Sequence, residues 1–311
     1  MNAEPDSGRR KCMAACATRT IDRLERIDHQ PARLSPTIEG RYEVRIAQNP
    51  PEVAAALRLR HQVFNVEMGS NANRTSVNSQ LEFDAYDFKC KHLIVLDRTT
   101  GKTVGTYRLN TLDTARSING FYSANEFTIE DLPEEVFENG MEIGRACIAR
   151  EHRNTKVLFL LWKALLSYSR HTEKRYFFGC CSVFTQDESE GGRIFHQLKR
   201  DGHFDEKLKV VPKRDQIDID SNCHEGDVKL PALFDMYLRL GARVCGPPTV
   251  DREFGSIDFF VVFEDRLHQH LEFRILCSDD AHALDTVHIR HVDVHQHDIG
   301  QQFVGLLDGL D

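Results

Sequence analysis

The sequence contains a single tryptophan, no long apolar run and no excess of positive charge. No segment reaches the roughly 18 consecutive apolar residues needed to span a bilayer. The basic Arg9-Arg10-Lys11 is followed by "CMAACATRTI", too short and too soon charged for the apolar region of a signal peptide. Net charge is −8 over 311 residues: residues 277–311 carry −6, residues 1–40 carry +1, and −3 remains for 41–276. A middle part so close to neutral argues against nucleic acid as a partner. Nine cysteines are scattered, and their only close spacings are Cys12-x3-Cys16 and Cys180-Cys181. Neither makes a zinc pattern or a disulfide framework, so reduced thiols, a cytoplasmic setting and no metal site are expected.

The chain reads as three parts. Residues 1–40 are polar and unpatterned, an extension expected to be poorly ordered. Residues 41–276 carry alternating strand and helix signals. Residues 277–311 mix Asp with His282, His288, His291, His295 and His297 and read as a solvated tail, with a metal or pH role as the minor alternative. In the middle part, "YEVRIAQ", "KHLIVLDR" and "TVGTYRLN" read as strands, the last two joined by a Thr99–Lys102 turn. A helix is expected from Pro51 to about Glu67, followed by a polar loop over 69–87. The stretch "TKVLFLLWKALLSYSRH" confines its polar residues Lys156, Lys163, Ser167 and Arg170 to one narrow stripe, so nearly all of that helix must be buried. Strand "RYFFGCCSVF", a polar stretch 185–230, helix "PALFDMYLRLGA" and strands "RVCGPP" and "IDFFVVFED" complete the domain. Meandering strands followed by a strand–helix–strand unit make an α+β domain, a mixed central sheet with helices on both faces.

The segment "GMEIGRACIAREHRNT" stands out within that pattern. Its first half is a buried strand that nevertheless carries Glu142 and Arg145, a pair that is costly to bury without partners. Its second half crowds Arg150, Arg153 and Lys156 around a helix start. There the dipole disfavours cations by about 0.3–1 kcal/mol each, and a bound phosphate would reverse the sign.

The order of elements, ending in a helix reading Tyr237-x-x-x-Gly241, resembles the GNAT acyltransferase fold. "LRLRHQVFNVEMG", "FDAYD", "GTYRLN", "MEIGRACI", "YFFGCCSVF" and "YLRLGARVCGPPTVDREFGSIDFFVVF" together resemble the ornithine-lipid-type N-acyltransferases, often labelled hemolysin-like, which use acyl carrier protein. The resemblance covers residues 41 to about 268. Acylhomoserine lactone synthases are similar at a greater distance. Their site positions are matched by Arg60 and Phe64, Asp84 and Asp87, Arg108, and Glu142 with Arg145, while the tryptophan they carry shortly after the Phe is absent here.

These resemblances imply transfer of a long (3-hydroxy)acyl chain from acyl carrier protein to the α-amine of L-ornithine, with no bound cofactor. Ordinary GNAT enzymes hold a pyrophosphate on a Gly-rich loop at the start of the central helix. The corresponding "AREHRNTK" has no glycine, so Arg150, Arg153, Asn154 and Lys156 become candidates to grip the single phosphate of a phosphopantetheine arm. Glu142 is the candidate base and Arg145 a candidate catalytic residue beside it, a structural salt bridge between the two being the alternative. Tyr237 is the candidate acid for the leaving thiolate, a role that suits a phenol near pKa 10. Arg60, Phe64, Asp84, Asp87 and Arg108 are the candidate acceptor contacts, the acids for ammonium groups and Arg108 for a carboxylate. Cys180 and Cys181 read as small apolar strand residues rather than nucleophiles. The alternatives are an N-acyl amino acid or lactone-type signal synthase and a non-catalytic acyl-carrier-binding protein. A cytoplasmic enzyme that touches the inner membrane only to release product completes the expectation.

Overall fold

The computed structural model describes residues 34–70, 80–219 and 226–265. The expected N-terminal extension up to residue 33 and the His-rich tail lie outside them. The chain divides into two compact units, Met1–Phe263 and Glu264–Asp311. Among the described residues no helix is long and apolar enough to cross a membrane.

Nine strands form one mixed sheet: β1 (Thr37–Glu39), β2 (Tyr42–Ile46), β3 (Lys91–Asp97), β4 (Lys102–Thr111), β5 (Gly140–Ile148), β6 (Tyr176–Val183), β7 (Arg243–Val244), β8 (Thr249–Asp251) and β9 (Ser256–Glu264). The order is β1-β2-β3-β4-β5-β6-β9-β7, with β8 also paired to β9. The sheet therefore starts at Thr37, ahead of the expected residue 41. Strands β1 to β5 pair antiparallel in sequence order, as short connections allow. β5 and β6 are parallel because helix Thr155–His171 carries the chain between them.

Helix α1 (Pro50–Arg60) starts where Asn49 accepts from the Glu52 N–H at 3.1 Å and prolines occupy its first turn. It continues into a wider π-wound turn, His61–Glu67, where one uninterrupted helix was expected. Two short helices follow, α2 (Leu112–Arg116) and α3 (Glu134–Glu138). The central helix α4 (Thr155–His171) has the expected bounds and leaves Lys156, Lys163, Ser167 and Arg170 on its less buried stripe. It lies so close to the sheet that a Cβ on Gly105 would sit 3.3 Å from both Leu161 and Val157.

Helix α5 (Glu188–Arg200) occupies a stretch expected to be irregular. Gly191 and Gly192 hide it from propensity, since each glycine costs a helix about 1 kcal/mol. Packing explains Gly191, where a Cβ would lie 2.6 Å from Ile217 and 2.8 Å from Ile257. Helix α6 (Ala232–Arg239) precedes β7.

Strands β5 and β6 pair only over Gly140–Glu142 and Tyr176–Phe178. At the next step a Cβ on Gly179 would meet the Ile143 carbonyl oxygen at 2.4 Å. The two strands touch there and then continue without a ladder between them, which leaves backbone groups at the centre of the sheet available to an extended ligand. Gly179→Ala is expected to destabilise the fold by about 1–3 kcal/mol through this backbone clash; urea unfolding of the variant beside wild type measures it.

Candidate functional site

The site is built on the face of the sheet that α1 covers, and buried charges hold it together. Asp84 and Asp87 form the capping box of a 3-10 turn, Ala85–Phe88: Asp84 accepts from the Tyr86 N–H at 2.9 Å, and Asp87 accepts from the Asp84 N–H at 2.8 Å. Arg60, the last residue of α1, is 0% exposed; it donates to Asp87 at 2.6 and 3.1 Å and pairs with Glu82. Arg108 on β4 donates to Asp84 at 2.6 Å and Asp87 at 3.1 Å. Arg145 on β5 completes the group, 3.3 Å from Glu82 and 3.4 Å from Asp84, with its guanidinium over the rings of Tyr122 and Phe254. Three guanidiniums thus face three carboxylates. Burial alone would raise the Asp87 carboxyl, but Arg60 and Arg108 outweigh it and hold the group far below the usual carboxylate range.

Arg145 reaches this network from a β-bulge, where the β4–β5 register slips between Thr106 and Arg108. Its φ of 51° is left-handed, unusual for a side chain of this size. The bulge turns the arginine away from the strand's alternation and toward Glu82 and Asp84.

This geometry corrects most of the expected acceptor contacts. Asp84 and Asp87 are committed to arginines and to their own turn, so neither is an open receptor for an ammonium group. Arg60 is sealed from solvent. Phe64 packs edge-on against Phe254, 5.5 Å between centroids, in an apolar cluster with Leu59, Val63 and Cys147. Arg108 is 5% exposed and already neutralised.

Glu142, 6% exposed, does not pair with Arg145. Its carboxylate accepts from the backbone N–H groups of Tyr122 (2.9 Å) and Ser123 (2.7 Å), from Ser123 Oγ (2.7 Å) and from Asn110 Nδ2 (3.4 Å). Hydrogen bonds rather than a cation compensate its burial. The Asn110 Oδ1 atom beside it is buried and has no partner.

The proposed phosphate grips also separate. Asn154 caps the central helix, accepting from the Val157 N–H at 3.0 Å. Arg153 donates to both Glu67 oxygens, at 2.5 and 2.8 Å, and to the Ile148 carbonyl. Arg150, Arg153 and Lys156 are all exposed, and of these Arg153 is the one tied to Glu67.

Tyr237, 6% exposed, packs against Trp162 and Phe263, and its hydroxyl lies 2.9 Å from that of Tyr107. Tyr107 shares the strand parity of Gly105, which faces α4, so this phenol pair and Glu142 lie on opposite faces of the sheet. Burial pushes the Tyr237 hydroxyl well above its ordinary value.

Cys181 is buried as expected, with its thiol raised by burial. Cys180 is partly exposed, 3.6 Å from Ser123 Oγ and 3.7 Å from Glu126 Oε2, and burial raises its thiol as well. Glu126 and Asp258, absent from the sequence reading, are hydrogen-bonded to each other and buried. Asp258 carried the same signal as Glu142, a carboxylate inside an apolar strand. Nothing comparable marked Glu126 or Glu82, which sit in irregular segments.

Comparison with known proteins places the chain among acyltransferases. A model of the acetyltransferase (GNAT) domain matches residues 59–163. An L-ornithine N(alpha)-acyltransferase of Agrobacterium fabrum is 32% identical over 239 residues, covering 72% of this chain and 80% of that protein. A protein of the same description from Brucella abortus is 30% identical over 239 residues, 72% of this chain and 84% of its own. Among solved structures, an N-acyl amino acid synthase from uncultured soil microbes is similar at a TM-score of 0.44 and 10% identity, over 74% of this chain and 93% of its own.

Two outcomes test the charge network. Arg60→Met leaves Glu82 and Asp87 short of a cation and is expected to cost about 3–5 kcal/mol, whereas Arg150→Ala stays within about 0.5 kcal/mol of wild type in urea unfolding. His92, beside the network, is pushed down to about 4 by burial, with Arg60 and Arg108 opposing Asp87. An unfolded histidine titrates near 6.5. Between about pH 6.5 and 4 the unfolded chain therefore binds the extra proton, and His92 removes stability as pH falls. His92→Gln is expected to lose less stability than wild type across that window, as unfolding titrations at several pH values measure.

Proposed function

Because the chain belongs to the family of L-ornithine N(alpha)-acyltransferases within the GNAT fold, we propose that it moves a long (3-hydroxy)acyl chain from acyl carrier protein to the α-amine of L-ornithine. One observation carries the ornithine N-acyltransferase part of this reading: 32% identity over 72% of the chain to a protein described as an L-ornithine N(alpha)-acyltransferase. The product would be a lyso-lipid released at the membrane surface. A second reading, an N-acyl amino acid or signal synthase with another amine acceptor, is favoured by the commitment of Asp84 and Asp87 to arginines, which removes the acids expected to select ornithine's second ammonium.

The donor follows from the loop "AREHRNTK". Without glycine it offers no tight backbone cradle for a pyrophosphate, whereas exposed Arg150 and Lys156 suit the single phosphate and the acidic surface of a carrier protein. The pantetheine arm enters where β5 and β6 part, and the unpaired strand backbone there holds it extended.

The acceptor arrives as an ammonium and must lose a proton before attack. Glu142, on the strand beside the parting, takes that proton through water. The amine nitrogen then bonds to the thioester carbon, the carbon–sulfur bond breaks, the nitrogen sheds its second proton to water, and the thiolate takes one proton from a donor that this released proton replenishes. The Tyr107–Tyr237 pair has two hydroxyl hydrogens and one hydrogen bond between them, which leaves one to give. Neither Cys180 nor Cys181 stands as a thiolate nucleophile, because burial raises both thiols, so the transfer proposed is direct rather than through an acyl-cysteine.

The decisive assay supplies purified protein with 3-hydroxyacyl carrier protein or acyl-CoA, each with L-ornithine or other amino acids. The expected result is N-acylornithine made from the carrier substrate and little from acyl-CoA; efficient use of acyl-CoA with no response to carrier protein sinks the donor assignment. Glu142→Gln is expected to lower kcat by about 10²–10⁴-fold. Arg150→Ala with Lys156→Ala is expected to raise the KM for carrier protein while kcat at saturation changes little, the signature of lost uniform binding. The wild-type KM should climb with salt, because exposed charges are screened over about 8 Å at physiological ionic strength.

A further inference from the structure

Transfer of an acyl group from a thioester to an ammonium produces an amide, a thiol and one surplus proton. Glu142 can receive that proton; its carboxylate is 6% exposed and held by Tyr122, Ser123 and Asn110, so a side-chain route would offer an exit besides the water that delivered the proton. A continuous set of side chains begins at Glu142 itself. Ser123 Oγ lies 2.7 Å from Glu142 Oε1, and the Cys180 sulfur lies 3.6 Å from Ser123 Oγ and 3.7 Å from Glu126 Oε2. Glu126 is hydrogen-bonded to Asp258, and Asp258 to Ser182 and to Ser256, the latter at 2.8 Å. Ser182 is half-buried on β6, one residue before the end of that strand.

We propose that Ser123, Cys180, Glu126 and Asp258 form a side-chain proton relay that carries the proton taken by Glu142 out to the surface at Ser182. The relay rests on the acyl-transfer reading and adds to it positioning residues that touch no substrate. In the step, the Glu142 O–H bond breaks as Ser123 Oγ takes its proton. The Ser123 proton passes to the Cys180 sulfur, and the Cys180 S–H proton passes to Glu126. The Glu126–Asp258 pair then releases one proton to water by way of Ser182. Every group returns to its starting protonation after release, and no oxidant or reductant is involved.

Three observations support this role over a purely structural one. Among the described residues no ion pair joins Glu126 or Asp258 to a cation, in contrast to Glu82, Asp84 and Asp87. Among the groups facing Glu126, Asp258 on β9 and Asp251 on β8 repel a second negative charge, and only Arg145 on β5 opposes them. Burial first, then these acids, raise the proton affinity of Glu126, while burial and Asp251 do the same for Asp258 against Ser256, Ser182 and Glu126. Such a pair takes a proton more readily than an ordinary carboxylate. Finally, Cys180 donates within sulfur hydrogen-bond distance of both oxygens, and burial, Glu126 and Asp258 raise its thiol against Ser123, so it stands between them as a thiol rather than a thiolate.

Cys180→Ala, Cys180→Ser and Glu126→Gln are compared with wild type in the ornithine assay, with circular dichroism confirming that each is folded. Cys180→Ala is expected to lower kcat by about 10–100-fold, the lower part of the general acid–base range, with KM for both substrates unchanged. Added imidazole should restore turnover in that variant and leave wild type unaffected, and Cys180→Ser should recover most of the loss. Glu126→Gln should shift the acid limb of the kcat profile to lower pH, which tests the relay even if the cysteine variant does not fold. Unaltered kcat and pH profiles in Cys180→Ala and Glu126→Gln overturn the relay while leaving the acyltransferase reading intact. A stoichiometric divalent ion in the purified enzyme that disappears in Cys180→Ala also overturns it. Absence of any acyl transfer by wild type removes the reaction and the relay together.

Discussion

Three arginines from α1, β4 and β5 are held inside this protein by three carboxylates from the segment just before β3, and the working face of the sheet depends on that balance. An unpaired guanidinium or carboxylate in the interior costs several kcal/mol, so no member can leave without stranding another. Arg60 fixes the end of α1, Asp84 and Asp87 fix the turn before β3, and Arg145 fixes the bulge of β5. Tyr122 lies against both Arg108 and Arg145. Its backbone N–H, with that of Ser123, then holds Glu142 in place. The candidate base is thus positioned by the charge network at one remove.

The same balance divides the acids of this face into two populations. Glu82, Asp84 and Asp87 are paired with guanidiniums and serve as structure. Glu126 and Asp258 are buried without such compensation, which leaves proton binding as the way to lower their cost. The acids that resembled a receptor for the acceptor amine are the spent ones. Glu126, just after the 3-10 turn Tyr122–Asn125, and Asp258, on β9, lie on the far side of Cys180.

In the proposed reading, donor recognition would rest on a different device. A glycine-rich turn would hold phosphate through backbone N–H groups, but this chain closes the start of its central helix with Asn154 and ties Arg153 to Glu67. Arg150 and Lys156 stay exposed, and the proposed attraction of an acidic partner would need charge and exposure more than fixed geometry.

The amino-acid sequence by itself determined the α+β architecture, the bounds of the central helix and the anomaly of charges within β5. Each of these follows from local rules: period-2 and period-3.6 burial, narrow polar stripes, and the cost of a carboxylate among branched apolar residues. It also held the motifs that resemble the acyltransferases, whose family the comparisons then established. Tertiary structure alone decided who partners whom. Arg145 and Glu142 lie three residues apart, yet a left-handed bulge sends the arginine to Glu82 and Asp84, while a turn twenty residues earlier supplies the donors for the glutamate. Helix α5 escaped because its glycines mark close packing on Ile217 and Ile257, contacts that no local window contains. Ion pairs and hydrogen bonds are satisfied in space, and many residues separate Arg60 from Asp87 or Glu126 from Asp258; chain spacing sets which elements form, and only their packing settles which charges meet.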